Sequence, residues 1–296
     1  MNLALPELIL GALAVCVIVA VVKGVVLPPT ARHLGLFAET YELEVTPINR
    51  GLLSSYIMWI RAWRLGGAVV VFVGLEVWEQ VGGTTFDWGV APLAVGYALG
   101  ATVGEWLRPR PPASGPRKAS LRPRTITEYV RPWVLVAIGV CSVLAVACTA
   151  IYASMGPIGP ERYSNSWTPA PLTMVALIGG SLAFTVLVLW LGARIARRPQ
   201  PAGQPDIDAV HHAIRSASLV SLSGLALMGS GLVAYFVAVR VSWYGDDLPW
   251  PLRRIGGYGA VVSGLGALVG FGLSFRAIPR FAPFWRRLPP VPEAAA

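Results

Sequence analysis

Residues 130–153 read VRPWVLVAIGVCSVLAVACTAIYA, and after Arg131 no charged side chain interrupts them. A helix needs about 20 mostly apolar residues to cross a hydrocarbon core ~30 Å thick. Six other stretches have a similar character: residues 5–27, 65–81, 86–107, 169–193, 217–239 and 255–275. Hydrocarbon offers no water to satisfy backbone N–H and C=O groups, so helix is the form each stretch has to take. The 296 residues are 55% hydrophobic and 13% charged, too little polar sequence to coat such a core in water. The sequence predicts an all-α, polytopic membrane helix bundle of about seven spans, forming a single transmembrane domain.

Orientation follows from the basic residues, which collect in cytoplasmic connections. Nineteen of the 24 Lys and Arg residues lie in the connections 28–64, 108–129 and 194–216, at the adjoining Arg131, and in the tail 276–296. Only Arg162, Arg240, Arg253 and Arg254 lie in the alternate connections, and Lys23 closes the first span. The expected topology has the N-terminus outside and the C-terminus in the cytoplasm. Its weakest point is 240–254, where three arginines face only Asp246 and Asp247. A cleaved signal peptide has a positive start. Residues 1–5 carry no positive charge, while Lys23 sits at the far end. The first span is therefore read as retained.

Arginine outnumbers lysine 22 to 2, beside 32 Gly and 25 Pro. Those codons are GC-rich, which points to a GC-rich genome and a bacterial cytoplasmic membrane. The formal charge of +9 sits mostly beside helix ends, where attraction to anionic lipid headgroups at the cytoplasmic face explains it without nucleic acid. Cys16, Cys141 and Cys148 all fall inside apolar stretches without a C-x-x-C spacing, so they read as small packing residues.

The connections differ in kind. Phe86–Trp88, Tyr163–Trp167 and Trp243–Trp250 are short and aromatic, suited to anchoring at the headgroup layer or to covering a ligand. Residues 108–125 are rich in Pro, Arg, Gly and Ser and lack the apolar residues to fold alone. In 50–64, Leu53, Tyr56, Ile57, Ile60 and Trp63 recur at helical spacing. That segment reads equally as an interfacial amphipathic helix or as the cytoplasmic start of one long second helix. Spans 2–3, 4–5 and 6–7 form three similar up-and-down pairs, a pattern that alternating topology alone would also produce.

Small residues indicate packing surfaces. Gly96, Gly100 and Gly104 make a G-x-x-x-G-x-x-x-G stripe, and Gly259, Gly266 and Gly270 make a second. Such stripes let helix backbones approach closely, within one chain or between two. Intramembrane charge is the usual pointer to function. Glu76 is the one carboxylate well inside a span, read either as a proton or cation site or as an edge residue satisfied by a neighbour. With Tyr97 and Tyr235 it would line the cavity of a small-molecule transporter. Glu105 and Arg108, spaced i, i+3, suggest a structural pair. Asp208 and His212 share a helical face, which permits a metal, but carboxylates at a helix start are expected from capping. No H-E-x-x-H, G-x-S-x-G or P-loop pattern is present in the sequence. No metal, cofactor or enzymatic activity is expected.

The string Glu105, Arg108-Pro109-Arg110-Pro111, Lys118 to Arg124 and Tyr129-Val130, with a second from Arg198-Pro199-Gln200-Pro201 through Asp208-Ala209 to Ser218, resembles patterns in uncharacterised multi-span integral membrane proteins of actinobacteria. The resemblance covers about residues 96–223 and implies a high-GC Gram-positive source. It implies no activity. The leading expectation is a non-enzymatic accessory or interaction component of a membrane transport or regulatory system, with another membrane protein as its partner. The alternative is the transporter with a cavity near Glu76.

Overall fold

The computed structural model describes residue 29 and residues 31–82, 91–108, 117–118, 125–154, 171–198, 200–201, 205–243 and 249–275. Within them lie seven α-helices: α1 (Ala31–Tyr41), α2 (Pro47–Gly82), α3 (Ala91–Leu107), α4 (Pro132–Ser154), α5 (Pro171–Ala196), α6 (Pro205–Trp243) and α7 (Trp250–Phe275). A two-residue antiparallel pairing joins β1 (Arg117–Lys118) to β2 (Gln200–Pro201). The predicted span 5–27 lies outside the described residues.

Five helical segments are long and apolar enough to cross a membrane: Pro47–Leu75, Pro132–Ser154, Met174–Ala196, Asp206–Ser242 and Trp250–Ser274. The α3 helix corresponds to the predicted span 86–107 and has 17 residues, or roughly 26 Å at 1.5 Å per residue. Outward faces of the helices carry large apolar side chains. On α4, Val136 is 64% exposed and Val143 67%. Contiguous surfaces of this kind are rare in soluble monomers and cost nothing against lipid chains.

Local signals explain the helix starts. Proline opens α2, α4, α5 and α6, because its fixed φ suits the first helical position and its missing N–H is one of the orphan donors there. At α2 the start is reinforced. Thr46 N–H donates to Asn49 Oδ1 at 3.0 Å, and Asn49 N–H donates back to Thr46 Oγ1 at 3.4 Å. This reciprocal pair satisfies two helix-terminal groups in the manner of a capping box. The helix then continues without a break for 36 residues, so 50–64 and the predicted span 65–81 belong to one helix. Arg61 and Arg64 consequently stand inside it. At the other side of the preceding turn, α1 ends in a Schellman arrangement: Leu43 N–H reaches Ala38 O and Glu42 N–H reaches Glu39 O.

The chain forms two compact units. The first comprises residues 1–119 and 199–214, the second 120–198 and 215–296. In the first, α2 and α3 pair along their length, with α1 against α2. In the second, α4 packs against α5 and α7. The part of α6 in this unit forms its centre: Leu225, Ala226, Leu227, Ala234, Val237, Ala238 and Val241 have no exposed surface. Cys148, Tyr152, Met174, Ile178 and Ala260 close one cluster around Val237, Ala238 and Val241.

Candidate functional site

In the first unit, glycine determines how closely two helices approach. A β-carbon at Gly100 would run into the Trp63 carbonyl, one at Gly96 into the Gly67 carbonyl, and one at Gly104 would lie 2.6 Å from Trp63 Cβ. The three-glycine stripe of α3 thus seats directly on α2, meeting Gly67 and Trp63. With the backbones this close, polar side chains along the seam come within hydrogen-bond reach.

Arg64 Nη1 donates to the Tyr97 hydroxyl at 3.1 Å, and its guanidinium carbon stands 5.3 Å from the centre of the Tyr97 ring. Further along, Trp59 Nε1 donates to the Gly104 carbonyl at 2.8 Å. Beyond it, the Tyr56 hydroxyl donates to Glu105 Oε1 at 3.3 Å. The Tyr56 ring also receives Arg108, whose guanidinium carbon lies 4.7 Å from its centre. Glu105 is only 3% exposed. Tyr56 therefore stands against both members of the expected Glu105–Arg108 pair, its hydroxyl serving one and its ring the other.

The α1 helix adds an aromatic cover. Phe37 contacts the Tyr56 ring edge-on at 6.2 Å and Tyr41 at 4.6 Å. Tyr41 is buried, and burial pushes its hydroxyl well above the ordinary phenol range, against a smaller opposing effect from the positive charge of Arg64. Two guanidinium groups, one carboxylate and three tyrosines are thus gathered on α1, α2, α3 and the residue that follows α3. The contacts of Arg64, Trp59 and the Tyr56 hydroxyl tie α2 to α3, and two of the arginines lie over tyrosine rings. Arginine over tyrosine holds its planar donors in a fixed direction, which suits binding between helices or to an anion.

Of the residues singled out from sequence, Tyr97 belongs to this cluster. The side chain of Glu76 lies outside what the structure describes. Tyr235 is on α6 in the second unit, 45% exposed, with its ring 3.3 Å from where a Gly264 β-carbon would lie. The second glycine stripe also faces within the chain. A β-carbon at Gly266 would stand 2.9 Å from Cys141 Sγ, and one at Gly259 would stand 3.7 Å from Cys148 Sγ. One at Gly270 would meet the Met228 backbone. Cysteines seven residues apart on α4 thus match glycines seven residues apart on α7. Asp206 and Asp208 occupy the first turn of α6, where the macrodipole favours carboxylates. Among the described residues, no three of His, Cys, Asp and Glu come together as a metal site would need.

Sequence reasoning missed Arg64 as the partner of Tyr97. It also missed Arg215, which is 6% exposed in the second unit. Arg215 donates to the Arg198 carbonyl at 2.7 Å and to the Tyr129 hydroxyl at 3.4 Å. The first contact holds the Arg215 guanidinium just beyond the carbonyl end of α5, a position where a cation is favoured. Compared with known proteins, the chain matches no family, no curated protein and no solved structure.

Proposed function

We propose that this chain is a multi-pass protein of a bacterial cytoplasmic membrane, with seven spans, its N-terminus outside and its C-terminus in the cytoplasm. It serves as a non-enzymatic accessory or interaction component of a membrane transport or regulatory system. The observation that carries this reading is the use made of the polar groups between helices. Arg64 with Tyr97, and Glu105 with Tyr56, tie α2 to α3. The centre of the second unit is filled by apolar side chains with no exposed surface. A scaffold needs such fixed ties and a filled interior, whereas a transport path needs polar groups lining a space.

Basic connections on one side supply attraction to anionic lipid headgroups and a surface for a partner. The resemblance of 96–223 to actinobacterial membrane proteins supports the source and the compartment. The test is affinity purification of the full chain from native membranes after cross-linking, followed by mass spectrometry. The reading predicts that one membrane protein or complex is recovered reproducibly. Recovery of the chain with no reproducible partner would overturn the accessory role.

A further inference from the structure

On α7, Trp250, Arg254, Tyr258, Val261, Leu265 and Leu268 lie within one arc of the helix, at i, i+4, i+8, i+11, i+15 and i+18. All three apolar members face outward: Val261 is 62% exposed, Leu265 58% and Leu268 69%. Trp250 and Tyr258, 65% and 64% exposed, stand on the same arc nearer the helix start. Between them Arg254 is held in place from both sides. Its guanidinium carbon is 4.1 Å from the centre of the Trp250 ring, and Nη1 donates to the Tyr258 hydroxyl at 3.2 Å. A planar guanidinium fixed on an aromatic face keeps its remaining N–H donors pointing in a set direction, ready for a bidentate anion.

The helix position supports the same reading. The 26 residues of α7 span roughly 39 Å at 1.5 Å per residue. A hydrocarbon core of ~30 Å takes about 20 of them. With the inner edge of the core at Phe275, just before Arg276, its outer edge falls next to Arg254, and that side chain stands at headgroup depth with the apolar arc below it. The first turn of α7 holds no acidic residue, yet Arg253 and Arg254 are among its first five residues, near the end of the helix where the macrodipole disfavours cations. Arg240, at the facing end of α6, stacks on Phe236 at 5.2 Å. An anion on Arg254 offsets the unfavourable placement of its charge near the helix start.

We propose that this face of α7 binds an anionic phospholipid, its phosphodiester on Arg254 between Trp250 and Tyr258 and one acyl chain along Val261, Leu265 and Leu268. This rests on α7 crossing the membrane in the proposed orientation, which puts the site in the outer leaflet. It also accounts for basic residues on the side of the bundle where few are expected.

The test is native mass spectrometry of the full-length protein released from nanodiscs of phosphatidylcholine doped with phosphatidylglycerol. The wild type should retain phosphatidylglycerol preferentially. Arg254→Gln should lower that retention roughly tenfold, the scale of losing a charge-assisted hydrogen bond. Arg254→Lys should fall between them, because a point charge lacks the planar fork. Equal retention by wild type and Arg254→Gln would overturn the site. A spin label on Leu268→Cys tests the premise separately. Greater access to oxygen than to a water-soluble relaxant is expected, and the reverse would remove the membrane placement of this face.

Discussion

Arg64 on α2 donates to the hydroxyl of Tyr97 on α3 at 3.1 Å. An arginine in the interior of a 36-residue helix thereby gains a fixed partner across the glycine seam. Tyr97→Phe keeps the ring and removes the acceptor. Because Arg64 is only half-buried, solvent screening brings the expected loss to about 1 kcal/mol, below the roughly 1.5–3 kcal/mol of hydrogen bonds to charged groups. Thermal unfolding in detergent micelles should show a lower midpoint for Tyr97→Phe, and Tyr56→Phe should act similarly by releasing Glu105. An unchanged midpoint in both would mean these ties do not hold the hairpin.

The closeness of α2 and α3 sets a sharper contrast among glycines. Gly100→Ala drives a methyl group into the Trp63 backbone, while Gly74 and Gly139 have nothing within 4 Å of an added β-carbon. Gly100→Ala is expected to destabilise by about 2 kcal/mol through overpacking. Gly74→Ala and Gly139→Ala should be neutral or stabilising by up to about 1 kcal/mol, as the entropic cost of glycine in a helix is removed. Unfolding midpoints of the three variants in one detergent decide the matter.

Gly266 and Cys141 allow a rescue experiment. Gly266→Ala alone places a β-carbon 2.9 Å from Cys141 Sγ and should lower stability. Cys141→Ala alone removes a buried sulfur and should do so modestly. The double variant should lose less than the sum, with a coupling of about 0.5 kcal/mol or more, as contacting residues show. Strict additivity would place the two residues apart.

Glu42 has φ 52°, the left-handed conformation that a side chain disfavours and glycine accepts freely. It occupies the position after α1 where glycine usually ends a helix. Glu42→Gly should therefore raise stability by about 0.5–1 kcal/mol, the left-handed cost of a side chain less the entropic cost of glycine, and Glu42→Val should lower it.

Burial holds the Tyr41 hydroxyl above its ordinary value. A folded value above the unfolded one, near 10, means that this contribution is fully present below pH ~10 and is lost as pH climbs beyond it. Tyr41→Phe should make the alkaline loss of stability shallower while leaving neutral pH behaviour unchanged. An identical alkaline profile would show that Tyr41 ionises as readily folded as unfolded.

Much of the helical pattern was legible because unbroken apolar runs have one reading at span length. Residues 130–153, 169–193 and 255–275 became α4, α5 and α7 with small changes at their ends. The misses arose where polar residues interrupt a helix that hydropathy follows poorly. Residues 50–64 were legible as helix, but Arg50, Arg61 and Arg64 left an interfacial helix and the start of a long second helix equally open; the long helix is the one found, and Thr46-Pro47-Ile48-Asn49 is its start signal. The α6 helix begins at Pro205 rather than 217, because Pro205 with Asp206 and Asp208 forms a good helix start that carries little hydrophobicity. In the polar cluster, Tyr97 and Glu105 drew notice as polar groups in apolar stretches. Their partners Arg64 and Tyr56 are 33 and 49 residues away in sequence. No periodicity on one helix reveals a contact made across a hairpin. The glycine stripes are visible in the sequence, but their partners Trp63, Gly67 and Cys141 are set by the fold.

The topology is tested most directly by maleimide labelling of single cysteines in a cysteine-free background, one at Ala119 and one at Gly245, in intact cells. A membrane-impermeant reagent should label position 245 from outside and reach position 119 only after the membrane is opened. Labelling of position 119 in intact cells, with 245 protected, would contradict the proposed orientation.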